Sequence, residues 1–330
     1  MSKRILIFRT DRVGDLIVTC PAILTIKEFF IDCKITLITS NKNNEYAKKL
    51  NIFTSIINYP NKGLLNKIKF IYNLRKQNFD YIFIFDGKER SFISSLFIKS
   101  SYKGAVTTNL KKYHKLYNIK FFKFDNNNKL YEVFQNLLNH FHIDKKIKHY
   151  DFISKKEDNN FSKKIPIKHY IHVHLDEKWF NKSYIKSYAD INPVYDDFID
   201  FLSTISKNND VLITTGMIDF NLLEKLKNNF FKKIDDEIYF KQNYNKMIYF
   251  IYKPSIFDIE SVMKNSECLI TCHGSLTHIA NHFNIKILDI IQKDKLSFYN
   301  NYTYYLNNYN YIFRKNFTDL KNDLLNSIME

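Results

Sequence analysis

Arg4-Ile5-Leu6-Ile7-Phe8-Arg9-Thr10-Asp11-Arg12-Val13-Gly14-Asp15 is an apolar strand that runs into a short polar turn and ends in a glycine followed at once by a carboxylate. The apolar stretch behind it, residues 16–30, reads as a helix. Open α/β sheets bind their ligands at such places, at the carboxyl ends of strands. Gly14 lets another molecule approach the backbone closely. Asp15, beside it, is placed to take a proton.

Outward from this segment, strand-like runs alternate with helix-like ones. Strands are predicted at 5–8, 34–38, 55–57, 81–85 and 104–106, with helices at 16–30, 64–77, 89–99 and 130–141. A charged stretch with Pro166, residues 154–168, reads as a linker. A second series follows, with strands at 169–175, 211–214, 248–251, 268–271 and 286–290. Its helices are at 194–207, 219–229, 255–264 and 276–283, and a last helix near 319–329 closes the chain. The pattern predicts an α/β protein of two Rossmann-like domains, 1–155 and 168–330, whose strand ends face a central cleft. Four of the six glycines (Gly14, Gly87, Gly216, Gly274) fall just after predicted strands. Ordinary turn chemistry competes with ligand approach as the reason.

The bulk numbers restrict the class. A chain of 330 residues, 45% of them hydrophobic, can bury two cores of ordinary size. Four cysteines (Cys20, Cys33, Cys268, Cys272) make no disulfide framework, three of them sit in apolar runs, and no signal peptide or spanning segment is visible. A cytoplasmic protein is expected. The net charge of +16 has three readings: AT-rich coding drift toward Lys, Asn, Ile, Tyr and Phe; attraction to an anionic membrane surface or glycolipid; and nucleic acid. No recognition module supports the last, so no nucleic-acid partner is expected. Cys268, Cys272, His273, His278 and His282 fit no standard zinc spacing, and neither metal nor cofactor is expected. His172 and His174, two apart on one strand face, read as core or cleft packing, with catalysis as the competing reading. The first turn lacks Gly-x-Gly-x-x-Gly, which disfavours a dinucleotide oxidoreductase.

The segment RILIFRTDRVGDLIVTCPAI, with Pro21 in the helix, resembles the opening of the heptosyltransferases, glycosyltransferase family 9. Phe85-Asp86-Gly87-Lys88, residues 131–138 and Asp176-Glu177-Lys178-Trp179 resemble further family segments. CLITCHGSLTHIANHFNIKILDI resembles the donor-site block, whose loop reads Asp-Thr/Ser-Gly-x-x-His in the family. The resemblance implies a GT-B fold and an inverting, metal-independent transfer from a nucleotide sugar, usually ADP-heptose. The acceptor it implies is the inner core of lipopolysaccharide, at the cytoplasmic face of the inner membrane.

It also implies residue roles. Asp15 matches the catalytic base; an N-terminal helix cap is the competing reading. Lys178 matches a loop lysine that neutralises phosphate charge, against a plain surface lysine. Gly274, Ser275, Leu276, Thr277 and His278 open a predicted helix whose free N–H groups suit a diphosphate, against simple capping by Ser275 or Thr277. Gly14, Thr10 and Arg12 are expected to line the donor site from the first domain. Asp219 suits a ribose, or caps a helix. One departure stands out: His273 replaces the family's acidic residue, and Gly274-Ser275 inverts the usual order.

The acceptor side is expected in the first domain, with Lys88, Arg90, Lys111, Lys112 and Lys115 as contacts. Lys62, Lys67, Lys69, Arg75 and Lys76 flank an apolar stripe of Leu64, Leu65, Ile68, Ile71 and Tyr72 that suits an anionic surface, against a solvated helix face. The alternatives to heptosyl transfer to a cell-envelope glycan are a related transferase with another nucleotide sugar or a protein acceptor, and a non-catalytic sugar-nucleotide-binding or assembly subunit.

Overall fold

Ile5 to Phe8 are fully buried, and that run makes β1 (Arg4–Phe8) a central strand. In the computed structural model, which describes residues 2–148, 152–153, 161–180 and 191–329, the chain divides into two units. The first is Met1–Ser154 with Asn300–Tyr304; the second is Lys155–Tyr299 with Tyr305–Glu330.

In the first unit β1 is followed by α1 (Val13–Phe29), β2 (Lys34–Thr39), α2 (Asn44–Lys49), β3 (Ser55–Asn58) and α3 (Leu64–Arg75). Then come β4 (Phe79–Ile84), α4 (Glu89–Leu96), β5 (Ser100–Thr107), β6 (Lys120–Lys123) and α5 (Leu130–His140). The strands form one parallel sheet in the order β3-β2-β1-β4-β5-β6. That is the doubly wound order, which reverses direction between β1 and β4. The helix α1 continues through Pro21 and buries residues on every side.

The second unit runs β7 (Tyr170–Leu175), α6 (Tyr195–Ile205), β8 (Asp210–Thr215), α7 (Asn221–Lys225), β9 (Lys232–Lys233), β10 (Ile238–Asn243) and β11 (Lys246–Ile251). It continues with α8 (Ile256–Met263), β12 (Ser266–Cys272), α9 (Ser275–His282), β13 (Lys286–Ile291), α10 (Leu296–Thr303), β14 (Tyr309–Phe313) and α11 (Phe317–Met329). Its sheet is β14-β13-β12-β7-β8-β11-β10-β9. The first six of these strands are parallel, and β10 and β9 add an antiparallel extension. The order reverses between β7 and β12. The core centres on Trp179, Phe198, Phe201, Phe250 and Phe317.

Three features depart from the sequence reading. Edge strands β6, β9 and β14, the inner strand β10, and helices α2 and α10 join the expected elements. The later part of the expected linker is core: Phe161, Ile165 and Ile167 are buried against Tyr170, Leu212 and Ile251. Residues 154–160 of that linker lie outside the described residues. Finally, Asn300–Tyr304, placed by the sequence reading in the second domain, belongs to the first unit. Tyr302 meets the Phe124 ring at 5.0 Å, and Asn301 Nδ2 donates to the Asp125 carbonyl at 3.2 Å.

Candidate active site

At the reversal of the first sheet, the loops after β1 and β4 are tied together by polar contacts. Thr10 Oγ1 donates to Asp86 Oδ2 at 2.6 Å, and Ser91 Oγ donates to the same oxygen at 2.7 Å. Arg9 is buried and directs its guanidinium into this turn. Its Nε donates to the Asp15 carbonyl at 2.8 Å and its Nη1 to the Phe85 carbonyl. It also faces two carboxylates, Asp11 Oδ2 at 3.4 Å and Asp15 Oδ1 at 3.7 Å.

Those two carboxylates differ in environment. Asp15 stands in the first turn of α1 with its side chain 38% exposed, and the Arg12 amide donates to its Oδ2 at 3.2 Å. The capping contact and a reachable carboxylate therefore coexist in one residue. Asp11 is more enclosed, and its Oδ1 is buried without a hydrogen-bond partner among the described residues. Burial pushes its pKa up to about 6, against the pull of Arg9 and with the help of Asp15 and Asp86. Gly14 is the second residue of α1, and Arg12, just before it, is exposed.

Lys88 and Arg90 turn toward Thr10. Lys88 Nζ donates to the Thr10 carbonyl at 2.9 Å, and Arg90 Nη2 donates to Thr10 Oγ1 at 2.8 Å. Burial lowers the pKa of Lys88, and its neighbours Asp11 and Asp86 offset part of that. Lys111, Lys112 and Lys115 are exposed around the buried His114. His114 Nδ1 accepts from the Lys111 amide at 3.3 Å, so Nε2 carries the hydrogen it gives to Glu89 Oε2 at 3.0 Å. Burial works against the Glu89 carboxylate, but donors from His114, Tyr117 and Tyr113 outweigh it and hold its pKa below the ordinary value.

At the reversal of the second sheet, Lys178 follows β7 and His273 follows β12. Lys178 Nζ is 2.7 Å from Asp176 Oδ2 and donates to the carbonyls of His273 at 2.9 Å and Cys272 at 3.3 Å. Burial opposes its charge, yet Asp176 outweighs that and raises its pKa above the usual lysine value. Its three donors thus all have acceptors within the chain. Arg314 supports the turn from behind, donating to the Lys178 carbonyl and to Cys272 Sγ at 3.4 Å. Gly274 lies so close that a Cβ there would stand 2.9 Å from Lys178 Nζ.

His273 is held by a carboxylate that sequence reasoning gave no role. Its Nδ1 is 2.6 Å from Asp289 Oδ2 in the middle of β13. Asp289 is fully buried and also accepts from Tyr309 Oη at 3.0 Å and Thr277 Oγ1 at 3.3 Å. Thr277 Oγ1 in turn accepts from the Gly274 amide at 3.2 Å. Gly274 is the residue before α9, so Ser275, Leu276 and Thr277 form its first turn and neither hydroxyl residue is the N-cap. His278 is buried, shares a hydrogen bond of 2.9 Å between its Nδ1 and Tyr305 Oη, and has its pKa pushed down to about 3 by burial and then by His273.

The remaining expected residues lie apart. Asp219 is exposed, pairs with Lys253 and Tyr252, and does not cap α7, whose N-cap is Phe220. His172 Nε2 and His174 Nδ1 both meet Thr214 Oγ1, at 2.8 and 2.9 Å, inside the sheet. Among the described residues no group of three or more His, Cys, Asp or Glu is arranged to hold a metal ion, and no helix is long and apolar enough to cross a membrane.

Solved structures place this architecture. ADP-heptose LPS heptosyltransferase II of E. coli superposes with a TM-score of 0.69 at 12% identity, covering 99% of this chain and 97% of that one. The fold is that of the heptosyltransferases. A glycosyl transferase family 9 protein of Veillonella parvula gives 0.70 at 12% identity over 95% and 88% of the two chains. This is the GT-B fold, and the UDP-GlcNAc 2-epimerase of Methanocaldococcus jannaschii shares it at a TM-score of 0.56 and 15% identity, over 100% and 92%. No family model and no curated protein sequence matches the chain.

Proposed function

We propose that this chain is an inverting, metal-independent glycosyltransferase of the heptosyltransferase type, moving a sugar from a nucleotide donor to a cell-envelope glycan or glycolipid. One observation carries the reading: each unit presents, at its own strand-order reversal, one half of the chemistry that such a transfer needs. The first unit offers Asp15, a half-exposed carboxylate at a helix start. The second offers fixed positive charge, Lys178 beside the N-terminus of α9.

In the proposed reaction the acceptor hydroxyl gives its proton to Asp15 as its oxygen attacks the anomeric carbon. The bond from that carbon to the phosphate oxygen breaks, and its electron pair leaves with the nucleoside diphosphate. Amides of the first turn of α9 and the charge of Lys178 stabilise the departing phosphate. Lys178 acts there through its field, because its donors are already engaged. Thr10, Arg12 and Gly14 shape the Asp15 loop, and Asp219 and His278 are proposed donor contacts.

The acceptor contacts proposed for the first unit are Lys88, Arg90, Lys111, Lys112 and Lys115. The α3 surface supports attraction to an anionic membrane: Leu64 and Leu65 are 73% and 80% exposed, and the flanking charges Lys62, Lys67, Lys69, Arg75 and Lys76 are all positive. The proposed location is the cytoplasm, at the inner face of the membrane. Binding to phosphatidylglycerol vesicles that weakens with salt is expected, and equal binding to neutral vesicles would refute it.

Calorimetric titration with ADP, UDP, GDP and CMP, with and without EDTA, tests the function. Selective, EDTA-insensitive ADP binding, followed by turnover of ADP-heptose, is the expected outcome. His273 in place of the family's acidic residue supports a second reading, a sugar-nucleotide-binding subunit without turnover. Binding without transfer would favour it, and selection of another nucleotide would change the sugar.

A further inference from the structure

We propose that the first unit docks on an anionic lipid bilayer through α4 and the turn at Lys112–Leu116, whose exposed apolar side chains enter the headgroup layer. The inference rests on the membrane reading made for α3 and adds a second contact to it, one made by insertion as well as by attraction.

The charge of the chain is concentrated. Residues 59–79 and 87–124 hold 14 lysines and arginines and one acid, Glu89. The rest of the chain holds 36 lysines and arginines against 33 acids, which is close to balance. Coding drift adds lysine everywhere; it does not strip acids from two segments. The one acid is also engaged. Tyr117 Oη donates to Glu89 Oε1 at 2.8 Å, and Tyr113 and His114 donate to Oε2 at 3.2 and 3.0 Å.

Both segments fold onto one side of the first sheet. Leu6 and Phe8 of β1 and Ile82 and Ile84 of β4 point to that side, where they pack with Phe70 and Leu74 of α3 and Phe92 of α4. Tyr59 Oη, in the loop before α3, is 3.2 Å from Ser94 Oγ of α4. His114 fastens the turn to α4: its ring lies 5.3 Å from that of Phe92 and 4.8 Å from that of Phe121. With their inner sides used in this way, α3, α4 and the turn lie in one layer and leave their outer sides to solvent.

Those outer sides are apolar as well as basic. Ile93 on α4 and Phe97 at its end, four residues on, are exposed, Phe97 by 54%. Leu110, Tyr113 and Leu116 are exposed around the turn, Leu116 by 86%. Lys111, Lys112 and Lys115 stand between them in sequence. Like charge disfavours a second copy of this face as the occupant. An anionic bilayer fits both properties at once: its phosphates meet the cations, and the apolar side chains leave water for the acyl boundary. A glycolipid acceptor held in the same bilayer would meet these lysines from the same side.

The test is partition onto vesicles of phosphatidylglycerol with phosphatidylcholine, or of phosphatidylcholine alone, at about 0.1 M and about 0.5 M salt. The proteins are the wild type and two double variants, Leu110→Ser with Leu116→Ser and Ile93→Ser with Phe97→Ser. All four side chains are exposed, so the fold does not depend on them. Wild type is expected to prefer the anionic vesicles and to keep part of its binding at the higher salt. Each double variant is expected to partition about ten-fold or more less at both salts. Leu116→Trp adds a direct readout. Its emission should be quenched by lipids brominated in the acyl chain, against the background of Trp179, which is fully buried in the second unit. Double variants that bind like the wild type, or an L116W indole left unquenched on bound protein, would overturn the inference while leaving attraction by α3 and the proposed transfer standing. So would wild-type binding that vanishes at the higher salt. A wild type that binds no vesicle would overturn both membrane contacts and leave an acidic protein as the occupant. The ADP titration needs no membrane and reports on the transfer separately.

Discussion

A Cβ on Gly274 would stand 2.9 Å from the Lys178 ammonium nitrogen, so the absence of a side chain at 274 is what lets Lys178 reach across to β12. The lysine stitches the loop after β7 to the end of β12, on either side of the strand-order reversal. Gly274→Ala should displace Nζ from the His273 carbonyl and from its place beside α9. Nucleoside diphosphate affinity is expected to fall by about ten-fold with only a small change in unfolding midpoint. Calorimetry beside thermal unfolding checks this; unchanged affinity would detach Lys178 from the binding site.

Asp15 allows a sharper separation. Its carboxylate is the half-exposed one of the Arg9-linked pair, so Asp15→Asn keeps an acceptor for the Arg12 amide but no base. Turnover is expected to drop by ~10²–10⁴, with donor affinity close to that of the wild type. Single-turnover rates against donor binding give the answer, and near-normal turnover would remove the assignment.

Asp11 predicts a pH effect on stability. Its folded pKa, about 6, is above that of an unfolded aspartate, so the folded chain holds this proton more tightly. The resulting stabilisation is complete below about pH 4 and is lost as pH rises through about 6. Asp11→Asn cannot titrate. Urea unfolding of both proteins between pH 4 and pH 7.5 should show the wild type losing on the order of 1 kcal/mol relative to the variant. A constant difference across that range would contradict the enclosed setting of this carboxyl.

Gly104 on β5 meets α5 and its following turn at close range. An added Cβ would overlap Phe141 Cε2 and fall 3.4 Å from Leu137 Cδ1. Gly104→Ala should destabilise the chain by about 1–3 kcal/mol, read as a lower urea midpoint. Adding Phe141→Leu should recover part of that loss, since the two changes share one space.

Much of the framework could be read from residue order. The central strands β1, β4, β7, β12 and β13 are dominated by buried apolar residues, as buried parallel strands must be, with His172 and His174 in β7 and Asp289 in β13 as polar exceptions. The edges could not. β6 is four residues long with lysines at both ends, and β14 lies in a tyrosine- and asparagine-rich stretch that resembles a loop. The turn residues Thr10, Asp15, Lys178 and His273 were visible because they follow apolar strands or match family segments. Their supports were not, because they arrive from strands distant in sequence. Asp289 had a signal: a lone acid between Leu288 and Ile290 in an apolar run demands a buried partner. Arg9, a cation directly after Phe8, carried a similar one.

The path of the chain limits how the protein can be cut. Because Asn300–Tyr304 belongs with residues 1–154, the polypeptide leaves the first unit, returns for five residues and leaves again. A gene fragment ending at Ser154 would lack the rings of Tyr302 and Tyr304 that meet Phe124 and Tyr131. Neither half is a contiguous cassette for swapping between enzymes. A functional chimera requires the short C-terminal insert to travel with the N-terminal half, as two exchanged pieces and not one.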